Sequence, residues 1–372
     1  MMDPNSPILR RFPLVARPRP IAKALTARVD DLCALAERAE RENDLAAASA
    51  VYNQAALIAS DCGQPNLARQ WCHEHAEAYL PALPLGAQAA RHALEPLVNL
   101  ARLHIRDGNG DAALQLLTDL FHAVSTRTDT SVDNYPLPAS RLTRSEHNHR
   151  EVRQWLWSVL IADGARAMTS AGRWQEAYEH LKRHNGIGQR MLDGRQVAVI
   201  ALATTGKIEQ AETMIDTTID GEPWEQAVTA CLARACVHAV SESDEPTIVL
   251  LDRYRRLRPV RSQAVFHVRL GLSVIDAIGA CRHADLLNLT DSLITQTIAF
   301  EDARVASEVL QHLACAAVMD PIRAEGLAEL VTASGHGRGS LPLAILESLS
   351  STTSTAEAVI RRRAASGHGV QA

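Results

Sequence analysis

"ARAMTSAGRWQEAYEHL" at 165–181 and "VIALATTGKIEQAETMI" at 199–215 share one register. In each copy a small or β-branched residue is followed seven positions on by Gly, and five positions later by Ala: Ala165, Gly172, Ala177, then Val199, Gly206, Ala211. The same spacing stands twice nearer the start, as Ala36, Asn43, Ala48 and as Ala101, Gly108, Ala113. A larger residue sits two places after the turn in three copies (Leu45, Trp174, Ile208), with Gly110 in the fourth; Tyr52, Leu117, Leu181 or Ile215 comes four after the Ala. Gly or Asn ends a helix at positive φ with little strain, and Ala lets two helix backbones cross closely. Around these markers the apolar spacing is helical. Leu32, Leu35, Ala36 and Ala39, for example, fall on one face. A hairpin with so narrow an apolar stripe needs neighbours to bury it, which predicts a stacked array.

The pattern resembles the tetratricopeptide repeat, although that family's Trp in the first helix and Pro at the repeat end are missing. The resemblance implies an all-α fold, a right-handed superhelical solenoid of antiparallel helix pairs, with about 15–17 helices in a chain of this length. It also implies a concave groove lined by exposed positions of each first helix. By register these are Glu37, Glu40 and Arg41, then Arg102 and Arg106, then Arg166, then Gln196. Such a groove would run from acidic to basic, and its arginines would clamp the carboxylates of an acidic peptide.

Residues 1–27 carry five prolines and little periodicity, and read as an irregular N-terminal arm. The repeat domain is expected over 28–334, with later helix pairs starting near Glu222, Arg261 and Glu301 and a turn at Arg282/His283. Two interruptions are expected: Pro81 to Gly86, which leaves a lone helix over Pro65–Leu80 and an open pairing parity, and a long polar loop at 126–149. After a Gly-rich break at Gly335–Gly339, two short helices, Leu341–Leu349 and Thr355–Ala364, would cap the end of the array before a disordered tail.

The 372 residues are 47% hydrophobic and 22% charged, enough apolar material for a large core, and the 4% aromatic content disfavours an all-β fold. A net charge of −5 provides no global cationic field for nucleic acid or an anionic membrane. Lys23, Lys182 and Lys207 are the only lysines, so nearly all basic residues are arginines, a skew that a GC-rich genome explains more easily than selection at a site; a bacterial source is expected. Seven scattered cysteines (Cys33, Cys62, Cys72, Cys231, Cys236, Cys281, Cys315) without a CxxC pair read as reduced core residues. With no signal-peptide core and no long apolar run, a soluble cytoplasmic protein is expected.

Motifs for chemistry are sparse. In "WCHEHAEAY", Cys72 and His75 share a helix face, and His180 and His184 are four apart, but neither pair has the further ligands of a zinc site, so no metal is expected. "RHNGIGQRMLDGRQ" (183–196) sets Arg183, Arg190 and Arg195 among glycines, a candidate anion cradle that lacks the GK[ST] ending of a phosphate-binding loop. No nucleophile or cofactor motif is present. The leading expectation is a protein- or peptide-binding scaffold without catalysis, alone or as a homo-oligomer. Two alternatives stay open: an enzyme or enzyme subunit acting on a peptide in a bacterial biosynthetic pathway, using His75, His184 or Asp193, and a peptide-sensing regulator without its own DNA-binding domain.

Overall fold

The computed structural model describes residues 3–4, 6–237, 245–279 and 283–366. It is all-α apart from one two-stranded hairpin among these residues. The chain divides into two compact units. The first holds Ala24–Ala167 with Gly335–Ala372; the second holds Met1–Lys23 with Met168–Ser334. The sequence predicts boundaries at 27 and 334 around one central domain. In the structure the described residues of the arm, up to Lys23, pack with the second unit, and the described residues from Gly335 pack with the first.

In the first unit, α1 (Leu25–Glu42), α2 (Leu45–Asp61), α3 (Pro65–Glu77), α4 (Ala87–Arg106) and α5 (Gly110–Thr126) pack in sequence order, and α2 also touches α4 directly. Then come β1 (Thr130–Val132), β2 (Tyr135–Leu137) and α6 (Glu146–Thr169), whose last residues enter the second unit. There α7 (Trp174–Arg183), α8 (Asp193–Thr204) and α9 (Ile208–Asp216) pack in order. They are followed by α10 (Pro223–Leu232), α11 (Glu245–Arg255), α12 (Ala264–Ile278), α13 (His283–Phe300), α14 (Ala303–Gln311), α15 (Leu313–Val318) and α16 (Pro321–Ala333). Within this unit α8, α10, α12, α14 and α16 also touch one after another. The chain returns to the first unit with α17 (Leu343–Ser366).

The markers that suggest the array occupy equivalent places. Asn43, Gly108, Gly172 and Gly206 each stand between two helices at φ of +50, +78, +74 and +79°. Ala48, Ala113, Ala177 and Ala211 are fully buried, and Ala36, Ala101, Ala165 and Val199 are buried as well. At Gly110 the reason for a missing side chain is visible: a Cβ would lie 2.2 Å from the Ala167 carbonyl oxygen. The starts expected near Glu222, Arg261 and Glu301 coincide with α10, a short 3-10 turn leading into α12, and α14. The turn expected at Arg282/His283, Cys281 and the tail beyond 366 lie outside the described residues or on their edge.

Two expectations are corrected. The stretch 126–149 is not an unstructured loop. Asp133 and Asn134, both at positive φ, form the two-residue turn that a right-twisted hairpin favours, and Val132 pairs with Tyr135 across it. Val132, Tyr135, Leu137, Ala139 and Leu142 are buried in the core of the first unit. The Leu85 N–H donates to the Leu142 carbonyl at 2.8 Å, pinning the segment to the start of α4. The C-terminal stretch is one helix rather than two. In the run Ser348–Thr355, hydroxyls donate back to carbonyls a turn earlier (Thr352 to Ser348 at 2.6 Å, Ser354 to Ser350 at 2.9 Å), so these residues continue the helix instead of breaking it. Leu349, Ala356, Val359 and Ile360 bury α17 against α1 and α2, so it covers the first hairpin of the unit and not its last helices.

Cys33, Cys62, Cys72, Cys231 and Cys315 are thiols, and all but Cys33 are buried. No helix among the described residues is long and apolar enough to cross a membrane.

Candidate functional site

The groove residues expected from the register fall into three surroundings. Arg102, Arg106 and Arg166 gather on a polar strip across α2, α4 and α6 in the first unit. Two carboxylates anchor it: the side chains of Asp61 and Asp163 are only 1% and 6% exposed. Asp61 accepts from Arg28 at 2.8 Å and from Arg106 at 3.0 Å; Arg106 also donates to the Ser60 hydroxyl. One oxygen of Asp163 accepts from Nε and Nη2 of Arg102 at 3.1 and 2.9 Å, and the other lies 3.6 Å from Arg166. Arg102 donates as well to Asn99, whose amide donates to Asn53. Burying a carboxylate is costly unless it is paired, and here two of them are shared among four guanidinium groups. The arginine side chains are thereby held in place while Arg102 and Arg106 remain 46% and 44% exposed.

Glu37, Glu40 and Arg41 do not join this strip. Glu37 faces Arg41 at 3.9 Å on α1, and Glu40 lies 3.8 Å from Arg362 of α17. The cause is the pairing parity: with α3 interposed, α2 and not α1 is the neighbour of α4. The expected passage from an acidic to a basic groove is therefore absent from the strip.

Gln196 lies in the second unit, and it is fully buried rather than exposed. Its amide oxygen accepts from the Leu14 N–H at 2.7 Å, and its amide nitrogen donates to the Leu14 carbonyl at 2.7 Å. The N-terminal arm is thus seated on helices of its own unit, as a 3-10 turn at Leu9–Arg11 followed by an extended run from Leu14. Further along it, Arg19 N–H donates to the Ser262 carbonyl, Gln263 donates to the Ala16 carbonyl, Arg304 donates to the Pro20 carbonyl and Ala303 N–H donates to the Ala22 carbonyl. At its other end the Trp174 indole donates to the Pro4 carbonyl. Arg11 pairs with Asp276 at 2.6 Å, which also holds His312 at 3.0 Å, and Arg17 lies 3.4 Å from Asp193. Leu9, Phe12 and Leu14 are buried.

The anion cradle expected at Arg183, Arg190 and Arg195 is a structural joint instead. Arg195 is buried and donates to the carbonyls of Met214 and Gly188 and to the hydroxyls of Thr217 and Thr218, tying the start of α8 to the end of α9. Arg190 makes a two-point pair with buried Glu225. Burial alone would raise the Glu225 carboxyl; the Arg190 guanidinium together with the Glu222 N–H outweighs it and holds the group below its ordinary value. Arg183 is exposed on the last turn of α7. Gly194 serves a backbone crossing, since a Cβ there would lie 2.1 Å from the Gly186 carbonyl oxygen, whereas a Cβ on Gly188 would meet open space.

The catalytic candidates have separate surroundings. His75 is buried in the first unit, stacked on Tyr52 at 4.9 Å and near Tyr79, and its Nε2 has no partner. Burial, with His92 nearby, pushes it down to about 3, so it stays neutral. Cys72 is pushed up to about 12 by burial. His184 lies against His180 in the second unit, and Asp193 faces Arg17. Among the described residues no group of three or more His, Cys, Asp or Glu is placed to hold a metal ion. A cleft of about 780 Å³ in the first unit is lined by Glu42, Asp44, His92, Arg144 and Arg363, with charges of both signs.

No protein-family model matches the chain, and no curated protein or solved structure matches it either.

Proposed function

We propose that the chain is a protein- or peptide-binding scaffold whose helix pairs stack, within each unit, as a tetratricopeptide-like solenoid. The four positive-φ turn residues, the buried small residues at the helix crossings and the serial contacts of α8, α10, α12, α14 and α16 support that architecture. The observation that carries the function is the strip of the first unit. Buried Asp61 and Asp163 hold Arg102 and Arg106 in fixed positions with their outer faces in solvent, so an incoming carboxylate meets donors whose side-chain entropy is already spent. An acidic, extended peptide is the partner this chemistry fits, with the Asn53–Asn99 amides beside the arginines as additional hydrogen-bonding groups.

Fluorescence anisotropy with a labelled ten-residue peptide of alternating Glu and Ser tests the reading. Wild-type protein should bind it, with affinity falling as salt rises. The Arg102→Ala/Arg106→Ala variant should bind at least ten-fold more weakly with helical content unchanged. Equal binding by the two proteins would remove the proposal.

A further inference from the structure

We propose that the seat of the N-terminal arm is a second binding site, for an arginine-bearing peptide of one helical turn followed by an extended, proline-punctuated run, and that the arm is the occupant the chain itself carries. This is a different surface from the acidic-peptide strip and stands independently of it. Several hydrogen bonds that hold the arm go to its main chain: Gln196 takes both the N–H and the carbonyl of Leu14, Gln263 reaches the Ala16 carbonyl, and Arg304 reaches the Pro20 carbonyl. Main-chain clasps of this kind do not depend on which peptide supplies the backbone. Pro18 and Pro20, in the extended run, lack an N–H and restrict the chain to extended conformations, which lowers the entropy lost on docking.

Side-chain selectivity comes from two carboxylates and from the burial of Leu9, Phe12 and Leu14. Asp276, oriented by its bond to His312, takes Arg11, and Asp193 faces Arg17. The arm is tethered, so its effective concentration is on the order of millimolar and a free peptide competes poorly until the arm is weakened.

The test uses the full chain and a fluorescein-labelled synthetic peptide of residues 6–23, SPILRRFPLVARPRPIAK. Arg11→Ala/Leu14→Asp weakens the arm and leaves the seat intact; this variant should bind the peptide at least ten-fold tighter than wild type. Adding Asp276→Asn or Gln196→Ala should cancel the gain, and a peptide with both arginines that meet carboxylates replaced by Ala should bind at least ten-fold more weakly. Binding of the Glu/Ser peptide at the strip serves as the control and should not change in any of these variants. Equal peptide binding by wild type and the arm variant, or a gain that survives damage to the seat, overturns the proposal. If the arm variant loses helical structure, a protease site inserted between Lys23 and Ala24 in the full chain replaces it. After cleavage the labelled peptide should exchange into the seat, and failure to exchange at hundred-fold excess overturns the proposal.

Discussion

In the first unit, Asp61 and Asp163 anchor arginines whose outer faces meet solvent; in the second, Gln196, Asp193 and Asp276 hold a segment of the same chain. Both are polar groups presented by successive helices, yet one surface is open and the other is filled. The difference teaches that position on a first helix does not decide exposure. Whether another segment has docked there decides it.

Breaking the anchor of the open surface should have the largest effect. Asp61→Ala leaves Arg28, itself buried, without its carboxylate, and losing one partner of a buried pair costs about 3–5 kcal/mol. Urea denaturation should register this as a lower midpoint at unchanged slope. On the filled surface, Gln196→Ala strips both hydrogen bonds from the Leu14 backbone, about 1–3 kcal/mol for each buried group left unpaired. Limited trypsin digestion should then cut at Arg10 and Arg11 faster than in wild type, while a rate equal to wild type would mean that Gln196 does not hold the arm.

Acid sharpens the contrast. His75 of the first unit is held near 3 by burial, whereas an unfolded histidine titrates near 6.5. Between those values the unfolded chain takes up the proton and the folded chain does not. Stability from this group is therefore complete above pH 6.5 and is lost as pH falls toward 3, at no more than about 1.4 kcal/mol per pH unit. His75→Phe keeps an aromatic ring against Tyr52 and should flatten the stability-versus-pH curve in that window. The smallest effect belongs to Glu37→Gln: its 3.9 Å pair with Arg41 is exposed on α1, and thermal denaturation should change by less than about 0.5 kcal/mol.

The hairpins of α1/α2, α4/α5 and α8/α9, and the turn at Gly172, were legible because each turn needs a left-handed residue and each crossing a small one, and both demands leave marks in sequence. The same register places Arg102, Arg106 and Arg166 near one another, but it does not reveal Asp61 and Asp163, which meet them through packing between hairpins rather than at a fixed spacing. The β-hairpin was hidden by its brevity, although the Asp133–Asn134 pair signalled the turn. The serine and threonine run of α17 imitated a break because hydroxyl back-bonding cannot be seen in a sequence. The seat of the arm left one trace. Val197–Ala203 is apolar on every face, too apolar for a helix with a solvent-facing side, and something had to cover it.

Hydrogen exchange read by mass spectrometry on the intact chain, with and without the Glu/Ser peptide, tests the central claim most directly. The account predicts added protection in peptides spanning 53–61, 99–106 and 163–166, with the arm at 6–23 unchanged. Protection confined to the arm, or none along α2, α4 and α6, would contradict it.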